Sequence, residues 1–292
     1  MKATALEEGA GLLARFGRDR LSRAAACFIL LVSVIALFAP LIAGSHPHAP
    51  VGYGPDDISL PDRLQPPGAK HWLGTDELGR DLLSRVIHGS RVSMTVGSTA
   101  TLISLFVGTL FGALAGFYRG VVDTLISRLI EIVLCFPFIF LLLAITALYR
   151  PSLWTVVLAL GLTSWTTEAR IIRGEFLRVR EMEFAEAARA SGAGDLRVIF
   201  RHLLPHAVGP VLVFASFGVA SAILTESALS FLGFGIPLPT ASWGGILSTA
   251  DDHLTSAWWL PLFPGLLIFL TAAAFNVVGE GFRRALDPTF RE

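Results

Sequence analysis

Six long, almost uncharged apolar runs limit this chain more than anything else in it: 24–43, 92–117, 129–149, 152–167, 207–225 and 257–279. A helix needs about 20 mostly apolar residues to cross a bilayer, and in hydrocarbon each backbone polar group must be satisfied within its own segment. The pattern predicts an all-α polytopic membrane protein with about six transmembrane helices. Charged residues make up only 16% of the chain, against about 25% in soluble domains, and they cluster between the runs. Only the third run holds a charge, Glu131. The fourth is short and is completed by continuing to Ile172, with Glu168 and Arg170 at the interface. Tyr149, Arg150 and Pro151 leave almost no loop between the third and fourth runs, so these should form a tight hairpin, and Pro137 should kink the third. Arginines precede the first run, but its length exceeds the apolar core of a cleavable signal, so it reads as a retained anchor.

With six spans both termini share one side. The loops on that side collect all of the 23 Lys and Arg except Arg63, Lys70, Arg80, Arg85, Arg91 and Arg150. The positive-inside bias therefore places both termini in the cytoplasm. The chain divides into a cytoplasmic segment 1–23, the first span 24–43, an external segment 44–91, a five-helix core 92–282 with a cytoplasmic loop at 183–205, and a tail 283–292. A net charge of zero argues against a nucleic-acid partner. Cys27 and Cys135 both fall in apolar runs and read as small core residues, not as a disulfide.

Within the second run Gly108, Gly112 and Gly116 recur every four residues, with Gly97 ahead of them. Small residues at that spacing let helix backbones approach closely in lipid, either within this chain or against a second subunit. Glu131 and Glu226 are candidates for pathway or structural charges, since a charge in hydrocarbon is costly unless it faces protein or water. Arg128 lies one turn from Glu131 and offers it an ion pair. After Glu226 the chain is uncharged to Ala250 and dense in Gly, Pro and Ser. It should break its helix and fold over the external mouth of a pathway, with Trp243, Trp258 and Trp259 marking the outer interface. Asp76, Glu77, Arg80 and Asp81 form the densest external charge group and read as a salt-bridge network.

The loop 183–205 carries the most specific pattern. Phe184, Ala187, Ala188 and Ser191 share one helical face, and Gly192 ends that helix as a C′ glycine. Asp195 can cap a second helix whose apolar face is Leu196, Ile199, Phe200 and Leu203, and Pro205 should stop it. Glu186-Ala187-Ala188, Gly192 and Leu204-Pro205 resemble the EAA loop of bacterial ABC-importer permeases, and His202 is usual in the dipeptide and oligopeptide branch. His71 to Arg85 (HWLGTDELGRDLLSR), Glu226 to Gly233 (ESALSFLG), Ser242-Trp243-Gly244 and Ala285-Leu286-Asp287-Pro288 resemble further motifs of that branch, in the same order. His206 departs from its usual Asn.

The resemblance implies the type I ABC-importer permease architecture and a C-type permease subunit for peptides, or for nickel. It implies three kinds of partner besides membrane lipid: a second permease, two ABC ATPase subunits that use ATP and Mg, and an external solute-binding protein. The site would lie in the inner membrane of a bacterial cell. Phe184, Glu186, Ala187, Ala188, Gly192, Asp195, Leu196, Phe200, Leu204 and Pro205 would form the ATPase-coupling loop, with Glu186 as its polar contact. Lys2 and Lys70 are the only lysines, and neither sits in the Gly-rich loop that cradles nucleotide phosphates. The chain therefore lacks that route to ATP hydrolysis, and no cofactor is expected on it. An ion-gradient-driven secondary transporter is the rival class, yet no internal repeat supports it. A membrane enzyme would want clustered acids and histidines, which the uncharged runs do not supply. His46 and His48 alone are too few ligands for a metal site.

Overall fold

The computed structural model describes residues 16–17, 19–44 and 49–286. His46, His48, Asp287 and Pro288 lie outside the described residues. The described chain is helical, with no strand beyond an isolated bridge between Thr75 and Asp81. Its main helices are α1 (Arg20–Leu37), α2 (Leu82–Tyr118), α3 (Gly120–Leu134), α4 (Phe138–Leu148), α5 (Leu153–Val179), α6 (Glu183–Ala190), α7 (Leu204–Phe231), α8 (Trp243–Thr249) and α9 (Trp259–Leu286). Short helical turns at Ala39–Ile42 and Asp195–Arg197 and a π-helical stretch at Val198–Leu203 connect them.

Among the described residues four helices are long and apolar enough to cross a membrane by themselves: Arg20–Leu37, Leu82–Tyr118, the continuous run Asp195–Phe231 and Trp259–Leu286. The third expected run is not one continuous helix. It is divided between α3 and α4, which meet at a bend of 81° ahead of Pro137; proline removes a backbone donor and favours such a break. α5 holds the fourth run and is 27 residues long. Its second half carries Glu168, Arg170, Arg173, Glu175 and Arg178, which lowers its apolar character below that of the other four.

α2 begins ten residues before the expected span, because its leading charges are satisfied. Asp81 caps the helix through the Ser84 N–H at 2.8 Å and pairs with His71 Nδ1 at 2.9 Å. Arg85, almost wholly buried, lies 3.5 Å from Asp76, which also pairs with Arg80 at 2.7 Å. The expected salt-bridge network is thus a buried one at the foot of α2. Glu77 stands apart, 3.7 Å from His253. Nearby, Lys70 and Ser59 bond the Asp62 carboxyl and hold its pKa down at about 2.

α2 and α5 form the most extensive helix pair, and the glycine stripe is the reason. A Cβ on Gly108 would lie 2.7 Å from the Glu168 Cβ, and one on Gly112 would lie 2.5 Å from the Ala169 carbonyl oxygen. The stripe is therefore used inside the chain. At one end of the bundle, Asp19 caps α1 and receives Arg284 of α9 at 2.6 Å. Helices α1 and α9 thus start and finish at the same end.

Candidate functional site

The loop 183–205 projects from that end. α6 ends in a Schellman arrangement: the Ala193 N–H bonds to the Ala188 carbonyl at 3.1 Å and the Gly192 N–H to the Arg189 carbonyl at 2.9 Å. This requires the left-handed φ of +78° that Gly192 adopts, a conformation that costs other residues about 1–2 kcal/mol. The second expected helix differs from its sequence reading. Gly194, not Asp195, is its N-cap, and the Asp195 side chain makes no capping bond. Pro205 does not stop it either. The Leu204 N–H reaches back to the Ile199 carbonyl, so widened π bonding precedes the proline and the helix runs on into α7.

The faces divide differently from the sequence expectation as well. Val198, Ile199, Leu203 and Ala185 are buried in a cluster with Phe117 of α2 and Phe176 and Val179 of α5. Leu196 and Phe200 are 69% and 61% exposed, and Glu186, Ala187, Gly192, Asp195 and Pro205 are exposed with them. Ala188 and Phe184 are half-buried, and the Phe184 ring stacks at 4.6 Å on His206. Leu204 is also half-buried and packs on the cluster. Arg189 donates to the Arg180 carbonyl at 3.3 Å and lies over the Phe117 ring, while Arg119 pairs with Glu181 at 2.9 Å. One face of the knob is thus clamped to the ends of α2 and α5, and the opposite face, where Leu196 and Phe200 stand among charged side chains, is exposed.

Farther into the bundle, α2, the α3–α4 bend, α5 and α7 line a cavity of about 370 Å³, within the size range of small-ligand sites. Hydroxyls of Thr101, Ser104, Thr163, Ser164, Thr167 and Ser221 share its wall with Phe136, Phe138, Phe214 and Phe217. Glu168 is the only charged lining residue, and it is 8% exposed. Sequence reasoning placed it at the membrane interface. The available signal was that the fourth run alone reaches spanning length only by taking in a charge.

The two acids singled out from sequence lie elsewhere. Glu131 is exposed on α3 and pairs with Arg128 at 2.6 Å. Glu226 is wholly buried and accepts hydrogen bonds from Ser93 of α2 at 3.2 Å and Ser230 at 2.7 Å. The Trp243 N–H donates to the same Ser93 hydroxyl, so Glu226 ties α7, α2 and α8 together. The segment after α7 does break its helix, as its glycines and prolines predict. However, Trp243 and Trp259 are buried, their indole N–H groups donating to the Val86 and Thr75 carbonyls at 3.1 Å. Only Trp258 of the three is exposed. Cys27 and Cys135 are exposed on the helix surfaces instead of buried in the core. Among the described residues no group of three or more metal-ligating side chains occurs.

Comparison with known proteins bears on the chain as a whole. Residues 108–292 match the family described as binding-protein-dependent transport system inner membrane component, and residues 11–67 match the N-terminal transmembrane domain of oligopeptide transport permease C. The chain is 41% identical to a dipeptide transport system permease protein of Alkalihalophilus pseudofirmus, over 88% of this chain and 82% of that one. It is 37% identical to a glutathione transport system permease protein of Pectobacterium atrosepticum, covering 95% and 90%. An oligopeptide transport system permease protein of Bacillus subtilis is 35% identical, covering 95% and 88%. Among solved structures, the inward-facing MetNI methionine ABC transporter aligns over 70% of this chain and 98% of its own, with a TM-score of 0.59 at 16% identity. An amino acid ABC transporter aligns with a TM-score of 0.54 over 70% and 95%, at 18% identity.

Proposed function

The chain belongs to the family of binding-protein-dependent inner-membrane transport components, and from that premise we propose that it passes di- and oligopeptides and takes its driving force through loop 183–205. It is a multi-pass permease subunit of an ABC importer. The peptide assignment is supported by relatives whose names specify dipeptide, oligopeptide and glutathione. In this reading the knob faces the cytoplasm, as the positive-inside bias requires, and seats in a cleft on an ATPase that binds ATP and Mg. A second permease completes the pathway, and an external binding protein delivers the solute.

One observation carries the coupling part of this reading. Leu196 and Phe200 stand exposed on the open face of a knob whose other face is locked into α2 and α5. A push on that face moves the two longest-packed helices together, with no slack to absorb it. Reconstitution tests the whole reading. The chain with its second permease, ATPase pair and binding protein should take up a labelled dipeptide only when ATP is supplied inside the vesicle. Uptake of nickel in place of peptide would overturn the substrate assignment, and uptake by this chain alone under an ion gradient would overturn the importer mechanism.

A further inference from the structure

Glu168 is poorly explained by packing alone. It is a carboxylate more than nine-tenths buried on α5, set against Gly108 of α2, where an added Cβ would lie 2.7 Å from the Glu168 Cβ. Its Oε2 has no hydrogen-bond partner among the described residues. Among the described residues no cation pairs with it, in contrast to Asp76, Asp123 and Glu131. A buried, unpaired carboxylate oxygen is costly to maintain, and it lies in the wall of the cavity that α2, α5 and α7 bound together. Around it the wall offers hydroxyls, which hydrogen-bond either charge state of a ligand, and phenyl faces, which favour a cation over an anion. The wall holds no Lys, Arg or His. Its chemistry selects a positively charged group.

We propose that Glu168 receives the protonated α-amino group of the solute as it passes the cavity, making it a binding residue of the transport pathway. This rests on the peptide reading above, since a peptide carries an ammonium at its N-terminus. A small cavity with a single carboxylate holds one end of a peptide and leaves its side chains to the aromatic and hydroxyl wall. That arrangement allows a peptide's sequence to vary while its amino terminus stays constant.

The test uses the complete transporter with Glu168→Gln and Glu168→Asp, reading three quantities: yield of the assembled complex, ATP hydrolysis stimulated by dipeptide-loaded binding protein, and uptake of that dipeptide. Gln keeps the shape of Glu but removes its charge and exchanges one acceptor oxygen for an NH2 donor. Glu168→Gln should lower uptake about tenfold or more while assembly and stimulated hydrolysis stay at wild-type levels, and Glu168→Asp should recover a substantial part of the uptake. Uptake by Glu168→Gln within twofold of wild type would overturn the proposal. Loss of assembly in that variant would also overturn it, assigning Glu168 to an ion pair with the second permease. A wild-type complex that takes up no peptide at all would overturn the substrate reading itself, and this inference with it.

Discussion

The closest contacts in the bundle are made by residues with no side chain. At Gly112 an added Cβ would meet the Ala169 carbonyl oxygen at 2.5 Å and the Ile172 Cβ at 3.0 Å. Backbone cannot step aside as a flexible side chain can, so overpacking here separates α2 from α5. Gly112→Val should cost about 1–3 kcal/mol or more and lower the thermal midpoint of the detergent-solubilised chain by several degrees. Gly174, on the same helix pair's outer surface, has nothing within 4 Å of its Cβ position. Gly174→Ala should leave the midpoint unchanged or raise it, since Ala is the better helix former. Equal melting of Gly112→Val and wild type would show that the helices do not pack at this distance. The spacing of the stripe was legible in sequence because four-residue periodicity is a local property. Its partner was not, since nothing in the α5 sequence marks Glu168 and Ala169 as the residues beneath it.

At the scale of the element, the knob shows where local rules suffice and where they fail. Helix α6 and its Gly192 terminus follow from pattern and propensity. The second helix does not, because Pro205 normally ends a helix and a π turn has no sequence signature comparable to a glycine or a cap. The expected apolar face is divided: Ile199 and Leu203 turn inward, and Leu196 and Phe200 stand outside. The position of Gly192 makes the coupling reading testable without disturbing the fold. Nothing lies within 4 Å of its Cβ position, so a side chain there starts in open space and its first penalty is the positive φ. Gly192→Trp and Gly192→Ala carry the same backbone penalty of about 1–2 kcal/mol, the second without the bulk. Both variants should insert and assemble as membrane proteins. Gly192→Trp should reduce ATP-driven uptake at least tenfold and weaken co-purification with the ATPase, whereas Gly192→Ala should retain most of both. If the two behave alike, the effect is backbone strain and the open face is not the docking surface.

For the whole molecule, apolar run length reads the helical, multi-pass architecture correctly, but it could not show that the third run breaks by 81°. Length and hydropathy count residues along the chain, and a bend changes neither. What the fold adds to the charge argument is a common end. Asp19 holds Arg284 there, a Cβ on Gly209 would touch the Leu286 side chain at 3.0 Å, and the knob packs on Phe117 at the finish of α2. One assignment of side therefore settles the start of α1, the knob and the end of α9 together. In a chain with Cys27 and Cys135 replaced by Ser, Ser191→Cys and Ser256→Cys place single thiols at exposed positions on the knob and just ahead of α9. A membrane-impermeant maleimide should label the Ser256→Cys variant on intact cells and the Ser191→Cys variant only after permeabilisation. The charge bias that predicts this is strong but statistical, whereas the common end is geometric, so the two labels must fall on opposite sides. Labelling of the Ser191→Cys variant from outside would invert the whole assignment at once. It would leave the knob where no ATP-driven partner can reach it.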